Sequence, residues 1–516
     1  MHKAAGMKSL AVVSLGMLWT AGGCLDTTAP VVASNEVDEA GQTSEAEQAS
    51  VSDADSDFET VVARRCGGGD DGSKNRLPNN VPVRDATGTY TTVSTQGYID
   101  LDNAFFQNLG GNGRRCVSCH VPTAGWTITP SQLRATFEET DGGAWEDGLG
   151  LSAVFRTNDG SNSPRADVST KAKRRQAYSM LLDKGLVRIG LAVPANAEFE
   201  LVAVDDPYHF ASASELSLFR RPLPIANLKF DSTVMWDGRE VIAGVPVQQM
   251  LLNQSNDAVV GHAMAPSISQ AQRQSIVNFE LSLASAQISD DQAGSLYAGG
   301  AKGGPEAIHA QEFYIGINDN FGDSKTHQAF NPIVFNLFDA WASPSGAYDR
   351  NYAVNEARRS IARGQALFNT RRINISGVSG INDEAAFGKP ANVAGTCTTC
   401  HDTPNGGNHS VVAPLNIGLV DASRRTADMP LYTLKNKTTG QIVKVTDPGR
   451  AMISGKWAHI GRFKGPMLRN LAPRAPYFHN GFAADLAAVV DFYDERFNAK
   501  FTKQEKADLV AFLRSL

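Results

Sequence analysis

Apolar residues at Leu486, Val489, Val490, Tyr493 and Phe497 recur at helical spacing, so the stretch FHNGFAADLAAVVDFYDERF (478–497) predicts an amphipathic helix. The closing segment FTKQEKADLVAFLRSL (501–516) repeats the pattern, with Leu509, Phe512, Leu513 and Leu516 turned inward. Thr502 and Glu505 stand in the capping-box relation at its start. EARRSIARGQALFNT (356–370) aligns Ile361, Gly364, Gln365 and Phe368 on one side, and DNAFFQNLG (102–110) predicts a further helix. No run of about 18 apolar residues occurs, so no membrane-spanning helix is expected.

The N-terminus follows another pattern. Lys3 and Lys8 precede the apolar run LAVVSLGMLW (10–19), and TAGGC ends at Cys24, the order of a secretory signal. AGGC resembles a bacterial lipobox, which would acylate Cys24 as the first mature residue; ordinary signal cleavage is the alternative. Leu25 after that cysteine suits transport to the outer membrane, so the expected location is the periplasm, with the chain held at the membrane by a lipid anchor.

Residues 26–59 hold ten acids and no Lys or Arg, the composition of a disordered acidic tether over 25–85. Without residues 1–63 the balance of basic to acidic residues changes from 48 against 54 to 46 against 44. A near-neutral body offers no argument for nucleic acid. The hydrophobic share of 42% and charged share of 20% are those of a globular protein, and 516 residues suffice for two domains.

Four of the six cysteines fall in RRCVSCHVP (114–122) and GTCTTCHDT (395–403). Both contain C-x-x-C-H, the attachment signature of c-type haem: two thiols add across the haem vinyl groups and the adjacent histidine faces the iron. With 6 Cys and 10 His, composition alone predicts about 0.001 such motifs. A redox C-x-x-C would not require the histidine, and zinc would need four ligands in closer register. Two covalent haems c are therefore expected, one on Cys116, Cys119 and His120, the other on Cys397, Cys400 and His401. Cys66 is left as a free thiol or, if Cys24 is not acylated, as its disulfide partner. The expected fold is mainly α, with two cytochrome c-like haem domains over 86–345 and 355–516 joined near SPSGAYDRNY (343–352).

Three further stretches carry a resemblance. RRPLPIANLKFDSTVMWDGRE (220–240), IVNFELSLASAQ (276–287) and GRFKGPMLRNLAPRAPYFHNG (461–481) resemble segments of the bacterial dihaem cytochrome c peroxidase and MauG-like superfamily. The resemblance implies a peroxidase or oxidase. Hydrogen peroxide would react at the iron held by His120, and electrons would come from a periplasmic donor or a protein substrate. It places a distal ligand to the second haem fourteen residues beyond His479, at Tyr493, where a phenolate would favour oxidised iron. Met452 and Met467 are the alternatives. Trp236 matches the tryptophan between the haems, an electron relay; a lone tryptophan elsewhere would be read as core. His479 is expected to border the second haem. Asp237 and Arg239 would fix the turn or meet a propionate, and His409 and His459 read as structural or propionate-contacting.

The family's acid–base glutamate has no counterpart in LLNQSNDAVVGHAM (251–264), which leaves Asp257 and His262 in reach. His262 is open to three roles: acid–base group, sixth ligand closing the first haem, or hydrogen-bonded surface residue. A calcium ion between the haems, partly bound by backbone carbonyls, is also implied, although Arg221 stands where an asparagine is expected. Other readings are an electron-transfer cytochrome, if both irons are six-coordinate, and a dihaem oxygenase.

Overall fold

A computed structural model describes residues 75–147, 150–157, 160–343 and 351–516. The stretch read as a secretory signal, Cys24, Cys66, the expected tether up to residue 74 and most of the expected linker at 343–352 lie outside the described residues. Strands Arg76–Pro78 and Val83–Arg84 already belong to sheets, inside the span read as tether.

The fold is not mainly α. Helix makes up 33% and strand 17%, the latter as thirteen short strands in five antiparallel sheets among the described residues. The correction has a physical cause: most of these strands are too short to announce themselves, and two sheets pair segments far apart in the chain. Gly88–Ser94 pairs with Leu283–Asp290, and Phe199–Asp205 pairs with Leu431–Asn436. In the second pair Tyr432, Leu434 and Asn436 are buried and their neighbours are not, the alternation of a half-buried strand. This sheet joins the two halves of the chain, and its core of Phe199, Leu218, Tyr432, Leu434 and Phe463 packs against Trp236.

The predicted helices fare differently. Tyr352–Thr370, Leu486–Phe497 and Lys503–Arg514 are observed, and Thr502 and Glu505 form the reciprocal cap. Asp485 caps the second of these by accepting from the Ala488 N–H, a contact worth about 1 kcal/mol. The helix expected over 102–110 is a single turn, Ala104–Phe106. The Asn103 side chain caps that turn, and Asn108 then bonds the Gly110 N–H in a local turn that competes with the helix. The stretch 276–287 divides, its helix ending at Ser282 and its remainder entering the strand Leu283–Asp290. No helix among the described residues is long and apolar enough to cross a membrane.

Separate apolar clusters surround the two C-x-x-C-H turns. Phe105, Val117, Trp126, Leu133 and Phe279 pack about the first, while Phe335, Phe368, Leu509 and Phe512 pack beside the second.

Candidate haem sites and the junction between them

The two motifs fold alike. Cys116–Ser118 and Cys397–Thr399 each form one tight turn, with the histidine N–H donating to the first cysteine carbonyl at 3.0 and 3.1 Å. A hydroxyl closes each turn: Ser118 accepts from the Arg115 N–H, and Thr399 from the Thr396 N–H. No disulfide joins the two cysteines of either turn. His120 Nδ1 lies 3.3 Å from the Trp126 carbonyl and His401 Nδ1 lies 2.6 Å from the Gly407 carbonyl. A ring that donates from Nδ1 leaves Nε2 as a lone-pair donor, the arrangement of a metal-ligating histidine. Both carbonyls belong to residues six beyond the histidine, and both residues are left-handed, with φ of 62° at Trp126 and 70° at Gly407.

The second turn opens into a large apolar cavity. Cys397, Cys400 and His401 line it, together with Tyr493, His479, Trp236 and Met467. The helix Leu486–Phe497 directs its whole apolar face, Leu486, Val489, Val490, Tyr493 and Phe497, at this space. Tyr493 packs against Phe492 and Phe497, and its hydroxyl makes no hydrogen bond among the described residues. Burial, reinforced by the Cys400 and Cys397 thiols, pushes the phenol up, so it stays neutral unless a cation sits against its oxygen. The same burial pushes both thiols up to about 12. Met467 shares the cavity, whereas Met452 lies in the inter-half core. His409 is also in the wall, tied to Asp402 at 3.1 Å, and His459 bonds Ser454 at 2.9 Å.

His479 stacks on Phe463 at 3.9 Å and lies 6.1 Å from the Trp236 ring. It is 1% exposed, and neither ring nitrogen has a hydrogen-bond partner among the described residues. Burial lowers it to about 4, with Arg220 adding to the effect, so the ring is neutral. Two unpartnered nitrogens in the wall of an apolar cavity fit a bound group there. The donor set of two thiols, an oriented imidazole and an unpaired phenol fits haem c.

Trp236 lies in the wall of the second cavity. Its indole N–H donates to the Arg221 carbonyl at 2.8 Å. Asp237 anchors the turn in a buried cluster with Arg220, which also forks onto Asp447 at 2.7 and 3.0 Å. That cluster bonds segments from both halves, and removing one partner would cost about 3–5 kcal/mol. Arg239 lies 3.6 Å from Asp237. Residues 221–224 line the second cavity on one side, while the backbone of Leu223 comes within hydrogen-bonding reach of His120 on the other.

The first site is more polar. Burial lowers His120 to about 4, and His262 is close enough to lower it further. The His262 carbonyl is held by Asn112 at 2.7 Å and Arg114 at 3.0 Å, and its side chain is half-buried. Asp257 is exposed on the helix Val247–Gly261 and acts on Glu240, whose half-buried carboxyl is raised by burial and then by Asp257. The structure thus brings His262, but not Asp257, to His120.

Sequence reasoning missed several residues. Glu280, 5% exposed, acts on the Cys116 thiol; burial pushes its own carboxyl up to about 8, and Oε2 has no partner among the described residues. Trp126 gave no signal, since a bulky residue rarely takes a left-handed conformation; the Gly406–Gly407 pair could have suggested the second turn.

No protein-family model matches the chain. It is 33% identical over 132 residues to cytochrome-c peroxidase IdrP2 of Denitromonas iodatirespirans, covering 24% of this chain and 36% of that protein. Over 121 residues it is 31% identical to cytochrome c551 peroxidase of Nitrosomonas europaea, covering 23% and 30%. Methylamine utilization protein MauG of Methylorubrum extorquens is 24% identical over 203 residues, covering 37% and 50%. A solved MauG-like protein associated with microbial copper homeostasis aligns with 87% of this chain and 95% of its own at 16% identity, with a TM-score of 0.36. The chain spans about a third to a half of the length of these curated relatives. It is therefore similar, at low identity and over part of its length, to the superfamily of cytochrome c peroxidases and MauG.

Proposed function

We propose that the chain is a dihaem c-type peroxidase or MauG-like oxidase, with hydrogen peroxide as oxidant and a periplasmic electron donor or protein as the reductant. Cys116, Cys119 and His120 would hold one haem, and Cys397, Cys400, His401 and Tyr493 the other. When bound, the haems supply the redox-active irons. The observation that carries the reading is one cavity lined by His401, Tyr493, His479 and Trp236, with residues 221–224 running from its wall to His120.

The chain's own groups have distinct tasks. The Trp126 and Gly407 carbonyls orient the two imidazoles. The Asp237–Arg220–Asp447 cluster and the Arg221 carbonyl hold Trp236 as a relay between sites. His262 would serve as the acid–base group of the first site. The apolar face of Leu486–Phe497 excludes water around Tyr493.

The test is an optical titration of the fully oxidised holoprotein with one equivalent of hydrogen peroxide. A rapid Soret change with a new near-infrared band is expected, and slower electron exchange in Trp236→Phe. Silence that persists after half-reduction would sink the reading. An electron-transfer cytochrome is then favoured, with His262 as the sixth ligand that would close the iron held by His120. Two six-coordinate irons by electron paramagnetic resonance would mark that case, and Asp257 would have no part in either. The N-terminal pattern supports export and outer-membrane anchoring through Cys24. Cys24→Ser should move the protein from the membrane to the soluble periplasmic fraction.

A further inference from the structure

The resemblance implies calcium between the haems, and the residues at that junction do not fit it. Arg221 is 5% exposed. Its Nη1 donates to the Lys184 carbonyl at 2.8 Å, and Nη2 donates to the carbonyls of Ile128 at 2.8 Å and Arg474 at 3.1 Å. No carboxylate is among its hydrogen-bond partners in the described residues. Calcium takes six to eight oxygens at 2.3–2.6 Å, and here three carbonyls already face the N–H groups of a fixed cation. A calcium ion would have to displace that guanidinium and then sit beside its charge.

The surroundings are shaped for the side chain. Lys184 supplies the last carbonyl of the helix Ser179–Lys184, the negative end of its dipole. Gly185 follows at φ 63°, and a Cβ there would lie 2.6 Å from Arg221 Nη1. Burial and the neighbouring Arg474 lower Arg221 to about 9, which leaves it charged at neutral pH. The backbone of the same residue reaches the second cavity in two places. Its N–H donates to the His479 carbonyl at 2.7 Å, and its carbonyl accepts from Trp236 at 2.8 Å.

We propose that the Arg221 guanidinium is the resident cation of this junction, standing in place of bound calcium, and that Arg221 is a positioning residue for Trp236 and His479. The role of Trp236 rests on the proposed function; the identity of the cation does not. Three carbonyls from separate segments are drawn to one charge, and the backbone so pinned fixes both rings at the cavity wall.

The experiment measures calcium content and response in the holoprotein. The wild type should carry less than about 0.1 calcium per chain, and neither EGTA nor 1 mM calcium should move its Soret band or Tm. Arg221→Asn opens the carbonyl cradle; its Tm should fall by about 5 °C and recover in millimolar calcium. Arg221→Lys should retain most of the wild-type Tm without added ion. One calcium per wild-type chain, with a Soret shift when EGTA removes it, would overturn the proposal. So would an Arg221→Asn protein as stable as wild type without added cation. If that variant does not fold, the wild-type calcium measurement decides alone. None of these readouts uses peroxide, so a silent peroxide titration leaves this result standing.

Discussion

The two C-x-x-C-H turns are near copies, but what surrounds them is not. The second faces a helix with five apolar residues aimed into one cavity and a phenol free to meet a metal. The first has Glu280 near its leading cysteine, His262 near its histidine and Arg114 pinning the backbone. The proposed attachment needs only the local turn, and that turn repeats. Ligand choice and access depend on what packs opposite, which each half supplies from a different part of the chain.

The strongest test of this independence removes one site at a time. Replacing Cys116 and Cys119 by Ser should reduce covalent haem from two to one per chain by pyridine haemochrome assay and leave the second intact. The corresponding change at Cys397 and Cys400 should do the reverse. Loss of both haems from either double variant would break the comparison and make the sites one cooperative unit.

Glu280 tests the polarity of the first site. Its folded pKa of about 8 lies above the ordinary carboxylate value, so the folded chain holds a proton that the unfolded chain releases. Stability should therefore fall as pH rises from about 4.5 to 8 and level off above, by a few kcal/mol in all. Glu280→Gln should flatten that slope in urea melts at pH 5 and pH 9, while no change in slope would show the carboxyl to be ionised in the fold.

A smaller effect separates the two left-handed residues. Gly407→Ala places a Cβ 2.7 Å from Phe335 at φ 70°, and should cost about 2 kcal/mol in a denaturant melt. The smallest stability change is expected at Tyr493→Phe in the haem-free chain, within about 0.5 kcal/mol, because the hydroxyl makes no hydrogen bond among the described residues. The potential of the second haem should nonetheless rise, on the order of 100 mV, through loss of the phenolate donor. An unchanged potential in spectroelectrochemistry would move the ligand to Met467.

What could be read in advance follows the range of the forces. The haem turns, the helix Leu486–Phe497 and the Thr502–Glu505 cap depend on residues within one or two turns of one another, and all three are present. The helix expected over 102–110 gives way to a single turn because side-chain bonds from Asn103 and Asn108, which are also local, compete with it. The strand Leu283–Asp290 could not be read from its own residues, since its partner lies nearly two hundred positions earlier. A mainly α expectation failed on strands of this kind.

By itself the sequence determined the donor set of the proposed attachment: two pairs of thiols, each with its histidine, at a spacing that a single turn can present. It also determined the amphipathic faces of the C-terminal helices, because hydrophobic period is a property of neighbours. Only the tertiary structure decided that Tyr493, His479 and Trp236 share a cavity, that His262 rather than Asp257 approaches His120, and that Arg221 fills the carbonyl cradle between the halves. Those placements depend on burial and on hydrogen bonds between segments distant in the chain, where a charge or a ring takes its meaning from the dipoles and charges packed against it.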